Sequence, residues 1–208
     1  MKIILGSQSP RRRELLAGLD IPFTPVSIDA DESYPASLAG GEIPIYISRA
    51  KARAYARKLH ADELLITADT IVWLNGTMLG KPHDAEEAVR MLHLLAGQTH
   101  QVYTAVSFTW LRKAADEASV ALLAEMPLVR TDTLVDVTDV TFGDLSDAEI
   151  GYYVEHYRPF DKAGAYGVQE WIGYTGVTGM EGSYFNVMGF PVSRVYGYLK
   201  SRNLLAGL

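Results

Sequence analysis

Residues 3–16, IILGSQSPRRRELL, join a short apolar strand to a helix through a Gly/Ser turn. Ser9 is a favourable N-cap and Pro10 suits the first helical position, which predicts that a helix begins here. Arg11 and Arg12 then lie in the first turn, where the helix dipole favours anions over cations. The two arginines therefore indicate that something negative binds at this end of the helix.

A phosphate group would satisfy every kind of donor in this corner. The donors are the free backbone N–H groups of the first turn, the Ser7 and Ser9 hydroxyls, and two guanidinium groups. The sequence thus predicts a phosphate-binding corner. A basic helix end exposed to solvent is the alternative, and the local sequence leaves it open.

The composition favours one globular domain over residues 1–208, with 48% hydrophobic and 21% charged residues. A net charge of −6 argues against coating of DNA or RNA, so the basic corner is predicted to be a pocket for a small anion. The chain has no cysteine, which excludes disulfides, thiol catalysis and cysteine-based metal sites. Because no signal-like segment or membrane-length apolar run is present, we predict a cytoplasmic protein without membrane contact.

Hydrophobic patterns and cap signals predict alternating strands and helices after the first helix. The predicted strands are residues 23–28, 64–74 and 101–110, one or two within 128–142, and 185–188. The predicted helices are residues 44–60, a segment between Asp84 and Gly97, 146–157, and a closing helix that starts at 189–191. An Asn75-Gly76 hairpin turn follows the second strand, and residues 112–125 are interpreted as a hairpin loop or a short helical insertion.

Asp69 interrupts the most strand-like run of the chain, residues 64–74, LLITADTIVWL. A carboxylate within an apolar strand is costly unless it is paired, binds a metal or faces a cleft. We therefore predict a functional Asp69, with a structural aspartate satisfied by a neighbouring turn as the alternative. Lys51 follows Ile47 by one helical turn and Lys81 lies in a tight turn, and neither lysine is informative alone.

Residues 161–169, DKAGAYGVQ, combine an Asp-Lys pair with two glycines and two alanines. Such a slim backbone allows a ligand to approach closely, although an ordinary glycine-containing turn would look similar. The chain has no P-loop, GxGxxG, GxSxG or HExxH motif. Its basic corner, carboxylates and lysines suit hydrolysis of a phosphate ester or anhydride assisted by Mg²⁺ or Mn²⁺, since hard cations bind carboxylates and bridge phosphates.

The chain contains five motifs in this order: GSQSPRRRELL, ADTIV followed by LGKP, DAEEAVRMLHLLAGQTHQVYTAV, DKAGAYGVQ and EGSYFNVMGFP. In these motifs and their order it resembles the Maf family of nucleoside triphosphate pyrophosphatases, historically called septum formation inhibitors. The resemblance implies an α/β, Maf/ITPase-like fold of mixed β-sheets with flanking helices, in which two lobes enclose a central nucleotide-binding cleft. It also implies a homodimer that cleaves a nucleoside triphosphate to the monophosphate and pyrophosphate, as nucleotide-pool housekeeping.

The resemblance assigns roles to individual residues of this chain. Asp69 matches the proton acceptor and is also expected to bind the metal, Mg²⁺ or Mn²⁺, together with Glu32. Lys51 and Lys81 join the triphosphate grip, which comprises Ser7, Ser9, Arg11 and Arg12. Asp161 and Lys162 match the DKAG motif.

DKAGAYGVQ resembles the subgroup that prefers dTTP and UTP and sometimes modified pyrimidine nucleotides. Arg11, Thr70 and Gln169 match the specificity positions of that subgroup, and a Gln amide can donate to and accept from a uracil or thymine edge. Two alternatives stay open: a pyrophosphatase for another nucleotide, such as methylated GTP or CTP, and a nucleotide-binding regulator of cell division. An insertion at about residues 112–126 departs from the family pattern.

Overall fold

The computed structural model describes residues 1–111 and 129–205. The strands are β1 (Lys2–Gly6), β2 (Phe23–Val26), β3 (Glu63–Leu74), β4 (Thr77–Leu79), β5 (Thr99–Leu111), β6 (Val129–Phe142) and β7 (Val177–Glu181). The α-helices are α1 (Pro10–Ala17), α2 (Glu42–Tyr55), α3 (Ala85–Leu95), α4 (Asp147–Tyr157), α5 (Trp171–Gly176), α6 (Tyr184–Val187) and α7 (Val192–Ser201). Two 3₁₀ turns occupy Ala56–Lys58 and Ala163–Ala165.

In the described part of the chain, seven strands form one mixed sheet in the order β2-β1-β3-β5-β6-β7, with β4 added beside β3. The strands β2, β1 and β3 are parallel, whereas all other pairs are antiparallel. On one edge of β3, pairing with β1 ends at Thr67 and pairing with β4 starts at Val72. Residues 68–71 therefore have no strand neighbour on that edge within the described ranges, and we call this opening the β3 gap.

Alternation along β3 divides the helices between the two faces of the sheet. On one face, α2 packs against Leu65 and Ile71. On the other face lie two hydrophobic clusters, one containing α1, α7 and Ala68, the other containing α3, α4 and Val72. The two clusters contact β3 toward opposite ends of the β3 gap, which agrees with the predicted two lobes. A mixed sheet with helices on both faces confirms the predicted α/β class.

Local signals in the sequence account for several element boundaries. The Ser9 side chain caps α1 with Pro10 as its first residue, and the Asp84 carboxylate accepts a hydrogen bond at the start of α3. Ser146 and Glu149 form the predicted capping box of α4. The Asn75-Gly76 hairpin is also confirmed, because both residues have positive φ and directly join β3 to β4.

Two predictions about the elements were wrong, and one strand was missed. The predicted strand at 185–188 is instead the single helical turn α6, because Ser183 accepts a hydrogen bond from the Asn186 N–H and starts a helix. The strand β7 was not predicted. The helix predicted for 44–60 ends as an α-helix at Tyr55 and continues as a 3₁₀ turn.

The predicted insertion at 112–126 lies outside the described residues. The single domain over residues 1–208 stays a prediction, which one sheet with strands from both ends of the chain supports. Among the described residues, no helix has the length and apolar character needed to cross a membrane.

Candidate active site

The β3 gap opens into a cleft of about 430 Å³. It lies beyond the carboxyl end of β1, where the parallel pairing of β1 with β3 ends at Thr67, and the carboxyl ends of parallel strands are the usual position of ligand sites in open α/β sheets. The structure brings together all the residues that the sequence predicted for the site. They are Ser7, Ser9, Arg11, Arg12, Glu32, Lys51, Asp69, Thr70, Lys81, Asp161, Lys162 and Gln169.

Two carboxylates share one lysine at the centre of the cleft. Lys51 Nζ donates to Asp69 Oδ1 at 2.8 Å and lies 3.0 Å from Glu32 Oε1. Lys51 reaches Asp69 because α2 packs on the face of β3 to which odd-numbered residues point. Burial opposes ionisation of Glu32, but Lys51, Lys81 and Arg12 together lower its pKa. Two carboxylate side chains with the Lys51 amino group between them therefore lie in the cleft.

Arg12 connects three parts of the fold through its guanidinium group. Its Nη1 donates to Ala68 O at 3.0 Å, its Nη2 to Thr70 Oγ1 at 2.9 Å, and its Nε to Gly189 O at 2.8 Å. Burial lowers the pKa of Arg12, while the negative charge of Asp69 opposes this shift. Arg12 thus holds the two residues that flank Asp69, a role that the sequence prediction of a phosphate contact did not contain.

The turn before α1 forms the predicted anion corner. Ser7 Oγ accepts from the Ser9 N–H at 3.2 Å, which leaves the Ser7 hydroxyl hydrogen available to a ligand. Arg13, which the sequence analysis missed, donates from Nε and Nη2 to Ser7 O, each at 3.2 Å. Among residues 1–111 and 129–205, Arg11 makes only a long ion pair, 3.8 Å to Asp161, so its guanidinium keeps donors for an anion.

The segment DKAGAYGVQ forms the opposite wall of the cleft. Gly164 has a φ of 69°, and a Cβ there would lie 2.9 Å from Val72 Cγ2, so the close approach to β3 requires glycine. Its N–H donates to Gly80 O at 3.0 Å, which ties this wall to the turn that carries Lys81. The predicted slim backbone therefore serves contact with β3.

Lys162 is buried between two carboxylates in this wall. Its Nζ lies 2.8 Å from Asp161 Oδ1 and 3.1 Å from Glu170 Oε1. Burial would raise the pKa of Asp161, but the hydrogen bond and charge of Lys162, together with Arg11, lower it. Glu170 and Tyr153, whose hydroxyl donates to Glu170, were missed because no local signal marks a contact across 17 residues.

Thr70 and Gln169, the predicted specificity residues, differ in their surroundings. Thr70 Oγ1 is engaged by Arg12 and lies 3.0 Å from Thr104 Oγ1. Gln169 lines the cleft, and its side-chain amide makes no hydrogen bond within the part of the chain that the structure describes. Gln169 is therefore the residue with an amide available to a ligand.

The donor set of the cleft suits a hard divalent cation. Glu32 and Asp69 already hold one cationic group, Lys51 Nζ, between them. Mg²⁺ is typically bound by one or two carboxylates with phosphate oxygens and water completing its shell. Within residues 1–111 and 129–205 no group of three or more His, Asp or Glu side chains could hold a metal, so such a cation would need oxygens from a ligand.

The sheet and the cleft define a class of protein: an α/β protein with an anion-binding corner facing a carboxylate–lysine centre. The family model described as Maf-like protein matches residues 2–202. The chain therefore belongs to the Maf family, and the predicted family is confirmed.

Two relatives illustrate this membership. A protein of Bacteroides thetaiotaomicron named dTTP/UTP pyrophosphatase is 52% identical over 203 residues, covering 96% of this chain and 95% of that protein. A protein of Phocaeicola vulgatus with the same name is 50% identical over 200 residues, which also cover 96% of this chain and 95% of that protein. A solved structure of a nucleoside-triphosphatase / dITP/XTP pyrophosphatase from Mycobacterium abscessus is 14% identical, and the match covers 100% of this chain and 99% of that chain. Its TM-score of 0.41 is too low to show a shared fold.

Proposed function

We propose that this protein is a nucleoside triphosphate pyrophosphatase that hydrolyses dTTP and UTP to the monophosphate and pyrophosphate. One observation carries the proposal: the Asp69–Lys51–Glu32 centre and the anion corner open into the same cleft. Relatives at about 50% identity carry the name dTTP/UTP pyrophosphatase, and the match extends over nearly the whole chain.

Asp69 is the proposed base for the attacking water. Its Oδ1 is bonded to Lys51, whereas its Oδ2 makes no hydrogen bond among the described residues and can accept a proton from water. Arg11, Lys81 and the first-turn N–H groups of α1 hold the phosphate chain and stabilise the negative charge that develops as pyrophosphate leaves. Mg²⁺ or Mn²⁺ held by Glu32 and Asp69 would supply further charge neutralisation on the phosphates.

Gln169, at the other end of the cleft, is proposed to bind the nucleobase of the substrate. Its amide can donate to a carbonyl oxygen and accept from the ring N–H of uracil or thymine. Thr70 acts through Arg12 and Thr104, to which its hydroxyl is bonded, rather than as a free group. We also propose that the enzyme is a cytoplasmic homodimer that does not bind nucleic acid.

A nucleotide panel tests the proposal. Purified protein is incubated with dTTP, UTP, CTP, GTP and methylated GTP plus Mg²⁺ or Mn²⁺, and products are identified by ion-exchange chromatography. We expect dTTP and UTP to give monophosphate and pyrophosphate, and Asp69→Asn to abolish turnover while it still binds nucleotide.

Three results would contradict parts of the proposal. Release of orthophosphate would refute the bond that is cleaved, and preference for methylated GTP or CTP would refute the substrate. Binding of nucleotide with no turnover under any metal would favour the regulatory alternative. Full activity of Asp69→Asn would remove Asp69 from the role of base.

A further inference from the structure

The loop that carries Gln169 is fixed by hydrogen bonds on both sides of that residue. The Gly167 N–H donates to Tyr153 Oη at 3.0 Å, and the Glu170 N–H donates to Gly167 O at 3.0 Å. Tyr174 Oη donates to the Gln169 carbonyl at 2.7 Å. The backbone of Gln169 is therefore held in place, while its side-chain amide is left for a ligand.

Tyr153 and Glu170 form the buried anchor of this loop. Tyr153 is fully buried on α4, and its hydroxyl donates to Glu170 Oε2. Burial and the negative charge of Glu170 raise the pKa of Tyr153, so the hydroxyl keeps its proton. The other oxygen of Glu170 receives Lys162 at 3.1 Å, so both carboxylate oxygens are occupied.

Two glycines show how closely the loop is folded on itself. A Cβ at Gly167 would lie 2.7 Å from Glu170 Cδ, so the carboxylate can fold back only over a glycine. A Cβ at Gly173 would lie 1.9 Å from Val168 O, which no side chain could tolerate. The position of the Glu170 carboxylate is thus fixed by the shape of the loop as well as by its hydrogen bonds.

A chain of charges connects this anchor to the anion corner. Glu170 pairs with Lys162, Lys162 pairs with Asp161 at 2.8 Å, and Asp161 lies 3.8 Å from Arg11. Arg11 is proposed to hold phosphate and Gln169 to hold the base, so the chain of charges connects the two ends of the substrate site. The distance between these ends decides whether a pyrimidine or a larger purine brings its edge to the Gln169 amide.

We propose that Tyr153 and Glu170 are positioning residues that fix the distance between the anion corner and Gln169, and thereby favour pyrimidine over purine nucleoside triphosphates. The proposal rests on the function proposed above. Neither residue touches the substrate, and both act through the loop of Gln169. Loosening the loop therefore changes KM and base preference, while kcat, which depends on the Asp69 centre, stays nearly constant.

Tyr153→Phe and Glu170→Gln test the proposal by steady-state kinetics with UTP and GTP. Loss of one hydrogen bond to a charged group predicts a KM for UTP that is about tenfold higher and a kcat within about twofold. The ratio of kcat/KM for UTP over GTP should fall about tenfold. Tyr152→Phe is the matched control, because it removes a hydroxyl from an exposed neighbour on the same helix.

The outcomes separate this inference from the proposed function. If wild-type protein does not convert UTP or dTTP to monophosphate and pyrophosphate, the proposed function fails. If it does, and both variants keep the wild-type KM and base preference while only their Tm falls, Tyr153 and Glu170 have a structural role and the inference is refuted. Should Tyr153→Phe fail to fold, Glu170→Gln, whose side chain is 19% exposed, carries the test alone.

Discussion

Arg11 and Arg12 are neighbours in sequence, yet the structure predicts that their loss has different consequences. Arg12 donates three hydrogen bonds, to Ala68 O, Thr70 Oγ1 and Gly189 O. Arg11 makes one ion pair at 3.8 Å with an exposed carboxylate. We expect Arg12→Met to reduce stability and Arg11→Met to reduce activity with stability nearly unchanged.

The magnitude for Arg12→Met follows from these contacts. Three hydrogen bonds at about 1 kcal/mol each give a loss on the order of 3 kcal/mol, because two backbone carbonyls lose their side-chain donor. For a chain of this length, each kcal/mol lowers Tm by roughly 2 to 4 °C, which predicts a decrease of roughly 6 to 12 °C. The Arg11 ion pair is long and its Asp161 partner is exposed, so it is worth about 0 to 1 kcal/mol and its loss predicts a decrease of at most roughly 4 °C.

Thermal unfolding by circular dichroism and steady-state kinetics with UTP distinguish the two variants. Arg11→Met should raise KM and lower kcat, because a phosphate contact is lost in both the ground state and the transition state. Arg12→Lys is the matched control for charge, since one ammonium group cannot reach three separated acceptors and should therefore not restore Tm. Equal Tm losses in Arg11→Met and Arg12→Met, or a wild-type Tm in Arg12→Met, would refute the reasoning.

Three further predictions follow from other contacts. Burial lowers the pKa of His100 from 6.5 to about 4, so its contribution to stability is complete above pH 6.5 and is lost as the pH falls toward 4. Between pH 6.5 and 4, His100 should therefore lower the free energy of unfolding of the wild-type protein by about 3 kcal/mol, and His100→Gln should lack this part of the pH dependence. The same pH dependence for both proteins in urea titrations would contradict this. Gly164→Ala should lower stability by about 2 kcal/mol through positive φ and contact with Val72, and a wild-type urea midpoint would show that the loop adapts. Glu32→Gln should weaken Mn²⁺ binding in the presence of UTP by about tenfold or more, measured from the electron paramagnetic resonance of free Mn²⁺, and equal affinity would exclude Glu32 as a ligand.

Much of the fold could be predicted because its signals are local. The caps Ser9, Asp84 and Ser146 each lie within three residues of the N–H group that they bind. The strand predicted at 185–188 was wrong because the four residues FNVM are too few to show a period that separates strand from helix. Its decisive contacts, from Asn186 to Val102 O and to Thr138, involve residues far away in sequence.

The sequence predicted which residues line the site. It did not predict which of them are available to a ligand and which stabilise the fold. Asp69 was identifiable because a carboxylate in an apolar strand needs a compensating partner. Arg12 was predicted to bind phosphate because it lies in the first turn of α1. Its structural role was missed because two of its acceptors are backbone carbonyls 56 and 177 residues away, which any amino acid could supply. A contact of this kind leaves no mark in the sequence, and the same is true of the Gly167 N–H that donates to Tyr153.

The β3 gap explains why one strand can serve both parts of the site. Asp69 and Thr70 are adjacent, so their side chains point to opposite faces of the sheet, toward Lys51 and Arg12 respectively. In a continuous sheet a ligand could reach only one face, whereas residues 68–71, which lack a neighbour on one edge in the described part of the chain, leave β3 open along that edge. A phosphate chain in this opening can meet the Asp69 centre while Arg12, on the other face, keeps the exposed edge of β3 in place through Ala68 O. The catalytic carboxylate Asp69 and the contact of Thr70 with Arg12 therefore lie on opposite faces of the same strand.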